Sequence, residues 1–552
     1  MKMPAINLNR PADGASGGGS RTGRSLLACV AVLAAVLGVA ELRQPAAPSA
    51  RPAGSAAAAQ VERTAVVCPQ PMQGLTGTTQ ITAITPAGAT GTGTGSATVS
   101  AAAAPADGSS GSPSPSGSPS GSASPSGSPS PSGSPSPSGS PAAGQSGSAM
   151  IILARPGVPV SATAATGDTA PGSTAVATGA LAPGFTVTQT TTVTDQRGEG
   201  MSGVTCAPAG THFWFAGAGT AGNRKDYLSL TDAESTSAVV DIKLYGDQGP
   251  IDTGDAGSGI TVAPGTSQSV LLTTLTTSQT ADLAVEVRVR SGRVGAYLHA
   301  SDGSAGADWI PASADPASTV VVPGLPGDLS AAHLVVAAPG SDDDADLKIQ
   351  LSGQNGWFSP VLANGQGTVH VKAGMVTAVD LGQLNRQQIS AVRLTPSDPS
   401  HPTPVIATVR VDRSSNGKSD SAWITGAGPV GKRATVADSR AGGVSTLLLT
   451  ATGDAATVRV TASASTGGGT PTSKDVQIPA GGTVGLASPE PAGGNGSFGL
   501  TVETTSGSGV VAARMLAVNT DNVPMFTIQA LQDDHSFVQV PQTQQDPGVL
   551  LH

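Results

Sequence analysis

Histidines and serines are the residues of this sequence that could most readily serve catalysis. Histidine can act as a general base or bind zinc, but zinc hydrolases need ligands at fixed spacing, such as the two histidines of an HExxH helix. No HExxH occurs, and no two histidines stand at helical ligand spacing. A serine nucleophile lacks the Gly-x-Ser-x-Gly elbow at a strand-to-helix turn. The sequence therefore predicts no catalytic residue, no cofactor and no metal site, and a secreted hydrolase ranks third among its functions. The histidines are His212, His299, His333, His370, His401, His535 and His552.

One acidic run, Ser341 to Asp346, carries carboxylates of the kind that bind calcium. The corresponding loops of two other repeats, residues 232–237 and 451–454, do not keep the run. We therefore interpret it as a solvated loop between strands.

Tryptophan is scarce, with four residues in a chain that is 3% aromatic. Trp309 and Trp423 stand at equivalent module ends, where a later copy offers Phe526, and this favours packing positions. Trp214 lies within a strand-like run. Trp357 lies in a loop and is the candidate for an exposed ligand contact, because exposed tryptophan stacks on sugar rings.

The N-terminal part of the chain indicates export. Residues 1–24 contain four basic residues and one acidic residue, and the apolar stretch LLACVAVLAAVLGVA follows from Leu26 to Ala40. It is shorter than the roughly 20 residues of a full span and as long as a signal-peptide core. We expect a cytoplasmic segment (1–24), a transmembrane anchor or cleaved signal (25–42) and a disordered linker (43–60), with everything beyond outside the cell. Retention as a single-pass anchor is preferred, and secretion is the alternative.

Cysteine usage agrees with export. Cys29 belongs to the apolar stretch, which leaves Cys68 and Cys206 as an isolated pair. Each ends a short apolar strand just before or near a proline. In an oxidising compartment the two would form a disulfide, and the alternative is two separate buried thiols.

The composition argues against nucleic-acid binding and against long helices. Only 12% of residues are charged and the net charge is −9, so the basic surface that nucleic acid requires is missing. The 73 glycines, 43 prolines and many β-branched residues favour strands and turns over long helices. Residues 105–148 are almost entirely Ser, Pro, Gly and Ala, which predicts a disordered insert whose serines could carry sugars.

A sequence pattern that repeats at domain-sized spacing predicts tandem modules. The pattern apolar-x-apolar-x-x-Gly begins at Ile260, Val369 and Val476, with strand-like runs on both sides of each copy. Seven or so short strands per hundred residues are typical of antiparallel β-sandwiches. We predict an all-β chain of tandem sandwich modules over 61–205, with the insert inside, and 206–317, 318–432 and 433–552. The modules form either a string, which is preferred, or a closed propeller-like ring completed by the last strand, Phe537–Val540.

The motifs HFWFAG from His212 and DYLSLT from Asp226, followed by the alternating strand Ala238–Gly246, resemble an uncharacterised family of actinobacterial cell-envelope proteins. The resemblance covers residues from about Val61 to the C-terminus and includes the strand at Cys68. Asp232 stands where the family usually has Asn, and later repeats lose the tryptophan strand. The resemblance implies export, anchoring and β-sandwich modules, and it supplies no catalytic residues.

Together these features predict a non-catalytic extracytoplasmic protein with a structural or interaction role in the cell envelope. Its partner would be an envelope component or another protein, with the membrane contacted through the N-terminal segment and no nucleic acid bound. The alternative is a cell-wall glycan-binding protein that uses loop aromatics such as Trp357.

Overall fold

The computed structural model describes residues 57–540 except 72–76, 89–92, 104–147, 168–169, 195–198, 304, 341–342, 363–364, 366, 384–386 and 521. The N-terminal apolar segment and the body of the Ser/Pro/Gly insert lie outside these residues. The chain divides into two compact units. One spans Ala59–Val538, and the other comprises Met1–Ala58 with Gln539–His552. Within the described ranges no helix is long and apolar enough to cross a membrane.

The described residues are built from strands and three short 3-10 helices. Strands β2–β9 form a first module and β10–β18 a second. The early elements are β1 (Ala57–Gln60), β2 (Arg63–Cys68), β3 (Gly77–Ile84), β4 (Ala97–Ala101), β5 (Ala149–Leu153), β6 (Val160–Ala165), β7 (Ser173–Thr178), η1 (Gly179–Leu181), β8 (Thr186–Val193) and β9 (Gly200–Thr205). Those of the second module are β10 (His212–Ala218), β11 (Tyr227–Asp232), β12 (Ala238–Gly246), β13 (Gly249–Ile251), η2 (Gly254–Gly257), β14 (Ile260–Val262), β15 (Ser267–Leu271), η3 (Leu272–Thr274), β16 (Leu283–Ser291), β17 (Val294–Asp302) and β18 (Gly306–Ile310).

The third module comprises β19–β27 and the fourth β28–β35. The third contains β19 (Val320–Leu325), β20 (Ala331–Ala337), β21 (Ala345–Gly353), β22 (Gly356–Phe358), β23 (Thr368–Val371), β24 (Val376–Asp380), β25 (Ser390–Pro396), β26 (Ile406–Ser415) and β27 (Lys418–Thr425). The fourth contains β28 (Arg433–Arg440), β29 (Ser445–Ala451), β30 (Ala456–Ser465), β31 (Thr472–Ile478), β32 (Thr483–Ala487), β33 (Ser497–Ser506), β34 (Val510–Thr520) and β35 (Val523–Leu531), and β36 (Phe537–Val540) follows.

Each module consists of two antiparallel sheets with the same strand order. In the second module one sheet runs β10-β16-β12-β13, with β14 also on β12, and the other runs β15-β11-β17-β18. The third module repeats this as β19-β25-β21-β22, with β23 on β21, and β24-β20-β26-β27. Alternation of buried and more exposed residues along β12 is what a strand with one core-facing side requires. The prediction of tandem antiparallel sandwich-like modules is confirmed.

The apolar cores cross the module boundaries. Trp423 of the third module packs in the core of the second. Phe526 and Ile528 of the fourth module pack in the core of the third. The modules therefore share apolar cores and do not pack independently of one another.

The fourth module also returns to the first. The Ala437 amide donates to Thr188 Oγ1 at 3.1 Å, and Gln80 Nε2 donates to Ser497 Oγ at 2.8 Å. The strand β36 pairs with β1 in a two-stranded sheet. Of the two arrangements left open by the sequence, the two hydrogen bonds between the fourth and first modules, both within Ala59–Val538, favour the closed ring over the preferred string.

Candidate functional site

A disulfide closes the first module. Cys68, at the end of β2, is bonded to Cys206, directly after β9, across a sequence separation of 138. Both cysteines are buried. Tyr297 of the second module accepts the Ala207 amide and donates to the Val67 carbonyl, both at 2.6 Å. The predicted disulfide is confirmed, and it stands where the first module meets the second.

Two carboxyl groups are fully buried where the last strands of the modules meet. Asp308 on β18 accepts the Gly203 amide at 2.8 Å and the Trp309 amide at 2.8 Å, both at Oδ1. Its Oδ2 lies 2.9 Å from Thr527 Oγ1. Burial raises the pKa of Asp308 well above the ordinary value, against the effect of these hydrogen bonds. Asp308 thus connects the second module to the first and the fourth.

Asp420 on β27 makes the matching connections from the third module. It accepts the amides of Met201 at 3.1 Å and Phe526 at 2.9 Å through Oδ2. Burial raises its pKa well above the ordinary value too. Each of the two carboxyls has hydrogen-bond partners in two other modules, which assigns both to holding the modules together.

The sequence reasoning missed both carboxyls. Asp308 and Asp420 were visible as acidic residues inside otherwise apolar or small-residue strands, next to the tryptophan-containing ends of the modules. An acidic residue in a strand of that kind is a signal for a buried polar contact. The hydrogen-bond partners of these carboxyls could not be predicted from the sequence, because they come from other modules.

The motif residues after β10 form a buried ion pair. Arg224 donates to Asp226 through Nε at 3.1 Å and Nη2 at 2.6 Å, and it also donates to the carbonyl of Gly217 at 3.0 Å. The Arg224 guanidinium lies 5.7 Å from the ring centroid of Trp423 in the third module. Burial, opposed by the Arg224 charge, raises the pKa of Asp226. Arg224, which lies between the HFWFAG and DYLSLT motifs, therefore contacts the third module through Trp423.

Glu286 on β16 is also buried, and three side chains surround its carboxylate. His212 Nε2 lies 2.9 Å from it, and Tyr245 donates its hydroxyl at 2.8 Å. Arg288 also donates to it. Burial alone would raise the pKa of Glu286, but these hydrogen bonds lower it. A carboxylate whose pKa is lowered by such hydrogen bonds is a poor general base.

Trp357, the predicted ligand contact, lies between the third and fourth modules. Its Nε1 donates to the Thr452 carbonyl at 3.3 Å, and the Arg393 guanidinium stands 4.2 Å from its ring centroid. It is partly buried and packs beside Val511 of the fourth module. The indole has intramolecular partners at its N–H and at one face, and its role in ligand contact stays a prediction.

An open groove lies between the second and third modules. It encloses about 560 Å³ and is lined by Asp247, Gln279, Asp282, Lys372 and Met375, among others. Asp282 is held by His333 Nε2, at 3.2 Å. Lys372 is exposed and forms no ion pair with any described residue. The groove brings carboxylates, amides and an ammonium group together on one accessible surface, and it is the candidate functional site.

The predicted chemistry-bearing residues are otherwise dispersed. His370 pairs with Asp346 at 2.9 Å and Asp344 at 3.4 Å at the end of the acidic run, whose first two residues lie outside the described chain. His299 is fully buried, and burial lowers its pKa to about 4. Across the described ranges, no three His, Cys, Asp or Glu side chains are grouped to hold a metal ion.

These features define an all-β protein of sandwich-like modules joined through buried polar contacts, with the Cys68–Cys206 disulfide closing the first module. Residues 160–489 match the family described as a family of unknown function, DUF5719. Because the match spans more than half of the chain, the protein belongs to that family. No curated protein sequence matches the chain.

Proposed function

We propose that the protein works outside the cytoplasm as a non-catalytic scaffold of the cell envelope, held at the membrane by residues 25–42. The observation that carries the proposal is the buried Cys68–Cys206 disulfide. Structural disulfides persist in oxidising compartments and are rare in the cytosol. The resemblance to actinobacterial envelope proteins points to the same location.

The arrangement of the modules supports a scaffold role. The buried carboxyls Asp308 and Asp420 receive hydrogen bonds from neighbouring modules, and the Arg224–Asp226 pair stands at another boundary. Polar groups committed to structural partners hold a surface in a fixed geometry. A protein built in this way is suited to presenting a binding surface.

Fractionation of cells that express the full chain tests the location. We expect the protein in the membrane fraction and its modules cleaved by protease added to intact cells. Protein found only in the culture supernatant, beginning past Ala50, would refute the anchor and leave export standing. Protein recovered in the cytosol and protected from external protease would overturn the proposal. A cytosolic reporter that stays protected serves as the control for cell integrity.

A further inference from the structure

Two neighbouring module boundaries can be compared position by position. In the second module, the hairpin of β12 and β13 pairs Gly246 with Gly249 and Tyr245 with Pro250. In the third module, the hairpin of β21 and β22 pairs Gly353 with Gly356 and Ser352 with Trp357. The two registers coincide, so Pro250 occupies the position in the second module that Trp357 occupies in the third.

At the boundary between the third and fourth modules, Trp357 fills the space beside the hairpin. A Cβ added to Gly481 would stand 2.8 Å from the Trp357 ring, and one added to Gly482 would stand 2.9 Å from the Gln354 carbonyl oxygen. The two glycines thus let the hairpin approach the fourth module closely. Indole and backbone together close this boundary.

At the boundary between the second and third modules, the residue in the hairpin is smaller and the residue in the facing module is larger. Pro250 replaces the indole with a small ring. Met375 stands at the position of Gly482, counted from the repeated Gly374 and Gly481, and it is part of the groove lining. The second module thus carries a proline where the third carries an indole, and the neighbouring Gly249 lies beside Met375 of the groove lining, since a Cβ added to it would stand 4.0 Å from Met375 Cε. We therefore expect an indole at position 250 to narrow this opening.

The groove walls combine polar side chains of both charges with apolar surface. Eight of the twelve lining residues are polar, including Asp247, Gln248, Gln279, Asp282, His370 and Lys372. Met375, Val376 and two alanines supply the apolar side chains. Its volume falls in the range of roughly 300–1,000 Å³ that small-molecule sites occupy.

We infer that this groove binds a short oligosaccharide segment through its hydroxyl groups, an inference that deepens the proposed scaffold function and rests on it. Each sugar hydroxyl can donate to a carboxylate such as Asp247 and accept from an ammonium such as Lys372. Amide side chains such as Gln279 satisfy both roles. The C–H face of a sugar ring fits against Met375.

Other ligand classes fit less well. A peptide side chain that anchors binding usually needs a fully desolvated pocket, whereas this groove is open and eight of its twelve lining residues are polar. A free cation would meet the Lys372 ammonium, and a free anion would meet Asp247 and Asp282. A neutral ligand that both donates and accepts hydrogen bonds satisfies all of these groups together.

The test uses the full chain and soluble oligosaccharides of two to four hexose, pentose or N-acetylhexosamine residues, first on an array and then by titration calorimetry. Pro250→Trp places an indole, the side chain found at the equivalent position of the third module, at an exposed position next to the groove. We expect at least tenfold weaker binding of the selected oligosaccharide in Pro250→Trp, and also in Lys372→Ala. Asp255→Asn removes an exposed carboxylate outside the groove lining and serves as the matched control, with unchanged binding expected.

The binding experiment tests the oligosaccharide site independently of the proposed scaffold function. Binding that survives both Pro250→Trp and Lys372→Ala would place the ligand elsewhere and overturn it, as would the absence of binding to any oligosaccharide, or selection of a peptide in a parallel peptide array. None of these results changes where the protein is located, which fractionation measures. Thermal unfolding of each variant identifies a loss of binding caused by misfolding, and Lys372→Ala, at an exposed side chain, decides if Pro250→Trp fails to fold.

Discussion

At the scale of single residues, two opposing effects act on the Asp308 carboxyl. The amides of Gly203 and Trp309 donate to one oxygen, and the Thr527 hydroxyl donates to the other at 2.9 Å. These hydrogen bonds lower the pKa of Asp308, whereas burial raises it and has the larger effect. The pKa of Asp308 in the folded protein is therefore raised above its ordinary value, which favours the neutral form of the side chain.

This protonation state predicts a pH dependence of stability. A carboxyl whose pKa is raised by folding stabilises the folded protein fully below its unfolded pKa near 4, and that contribution is lost as the pH rises through the raised pKa. In Asp308→Asn the amide can make the same hydrogen bonds without titrating. We expect the free energy of unfolding of the wild type to fall relative to the variant as the pH rises above about 4.

Urea denaturation at several pH values measures the difference. Asp255→Asn, which removes an exposed carboxylate, is the control and should run parallel to the wild type. A constant difference between wild type and Asp308→Asn across the pH range would contradict a neutral Asp308.

At the scale of elements, the short hairpins decide what each module boundary looks like. β13 and β22 have the same length and register, yet they carry Pro250 and Trp357 at the matching position. Sequence periodicity predicted the repeated strands because alternation is a local property. It did not predict the function of the hairpins, since a side chain in a turn region carries no mark of the module that it contacts.

The hairpin comparison predicts that Trp357→Ala is destabilising. The substitution removes the indole from between two modules, together with its hydrogen bond to Thr452. For a partly buried tryptophan we expect a loss of roughly 1–3 kcal/mol, below the cost of a fully buried one. Chemical denaturation provides the measurement.

Phe358→Ala is the matched control, because Phe358 is the neighbouring aromatic and is 44% exposed. Its effect should be within about 0.5 kcal/mol, as for ordinary surface positions. Equal effects of the two substitutions would show that Trp357 is not a boundary contact.

At the scale of the whole fold, the modules from β2 to β35 behave as one interdependent assembly. Trp423 packs in the core of the second module, and Phe526 packs in the core of the third. The sequence predicted the sandwiches and the cysteine pair, which depend on local patterns and on counting. It could not select the closed ring, because contacts such as Ala437 with Thr188 join residues that are 249 positions apart.

Closure predicts that the fourth module cannot be removed. A chain that ends at residue 432 would expose the apolar partners of Phe526 and leave the Asp308 and Asp420 carboxyls without their contacts to the fourth module. We expect this fragment to lose the cooperative thermal transition of the full chain or to aggregate. A soluble, monomeric fragment with a sharp transition would indicate independent modules in a string.

The central claim is that the folded modules operate outside the cytoplasm with Cys68 and Cys206 joined. Intact cells expressing the full chain can be treated with a thiol-blocking reagent, lysed under denaturing conditions, and labelled with a mass-tagged maleimide before and after reduction. Cys29 is not part of the disulfide, and a Cys29→Ser variant removes it from the count. We predict that two thiols become labelled only after reduction in this variant. Cys68 and Cys206 blocked without reduction would contradict the account.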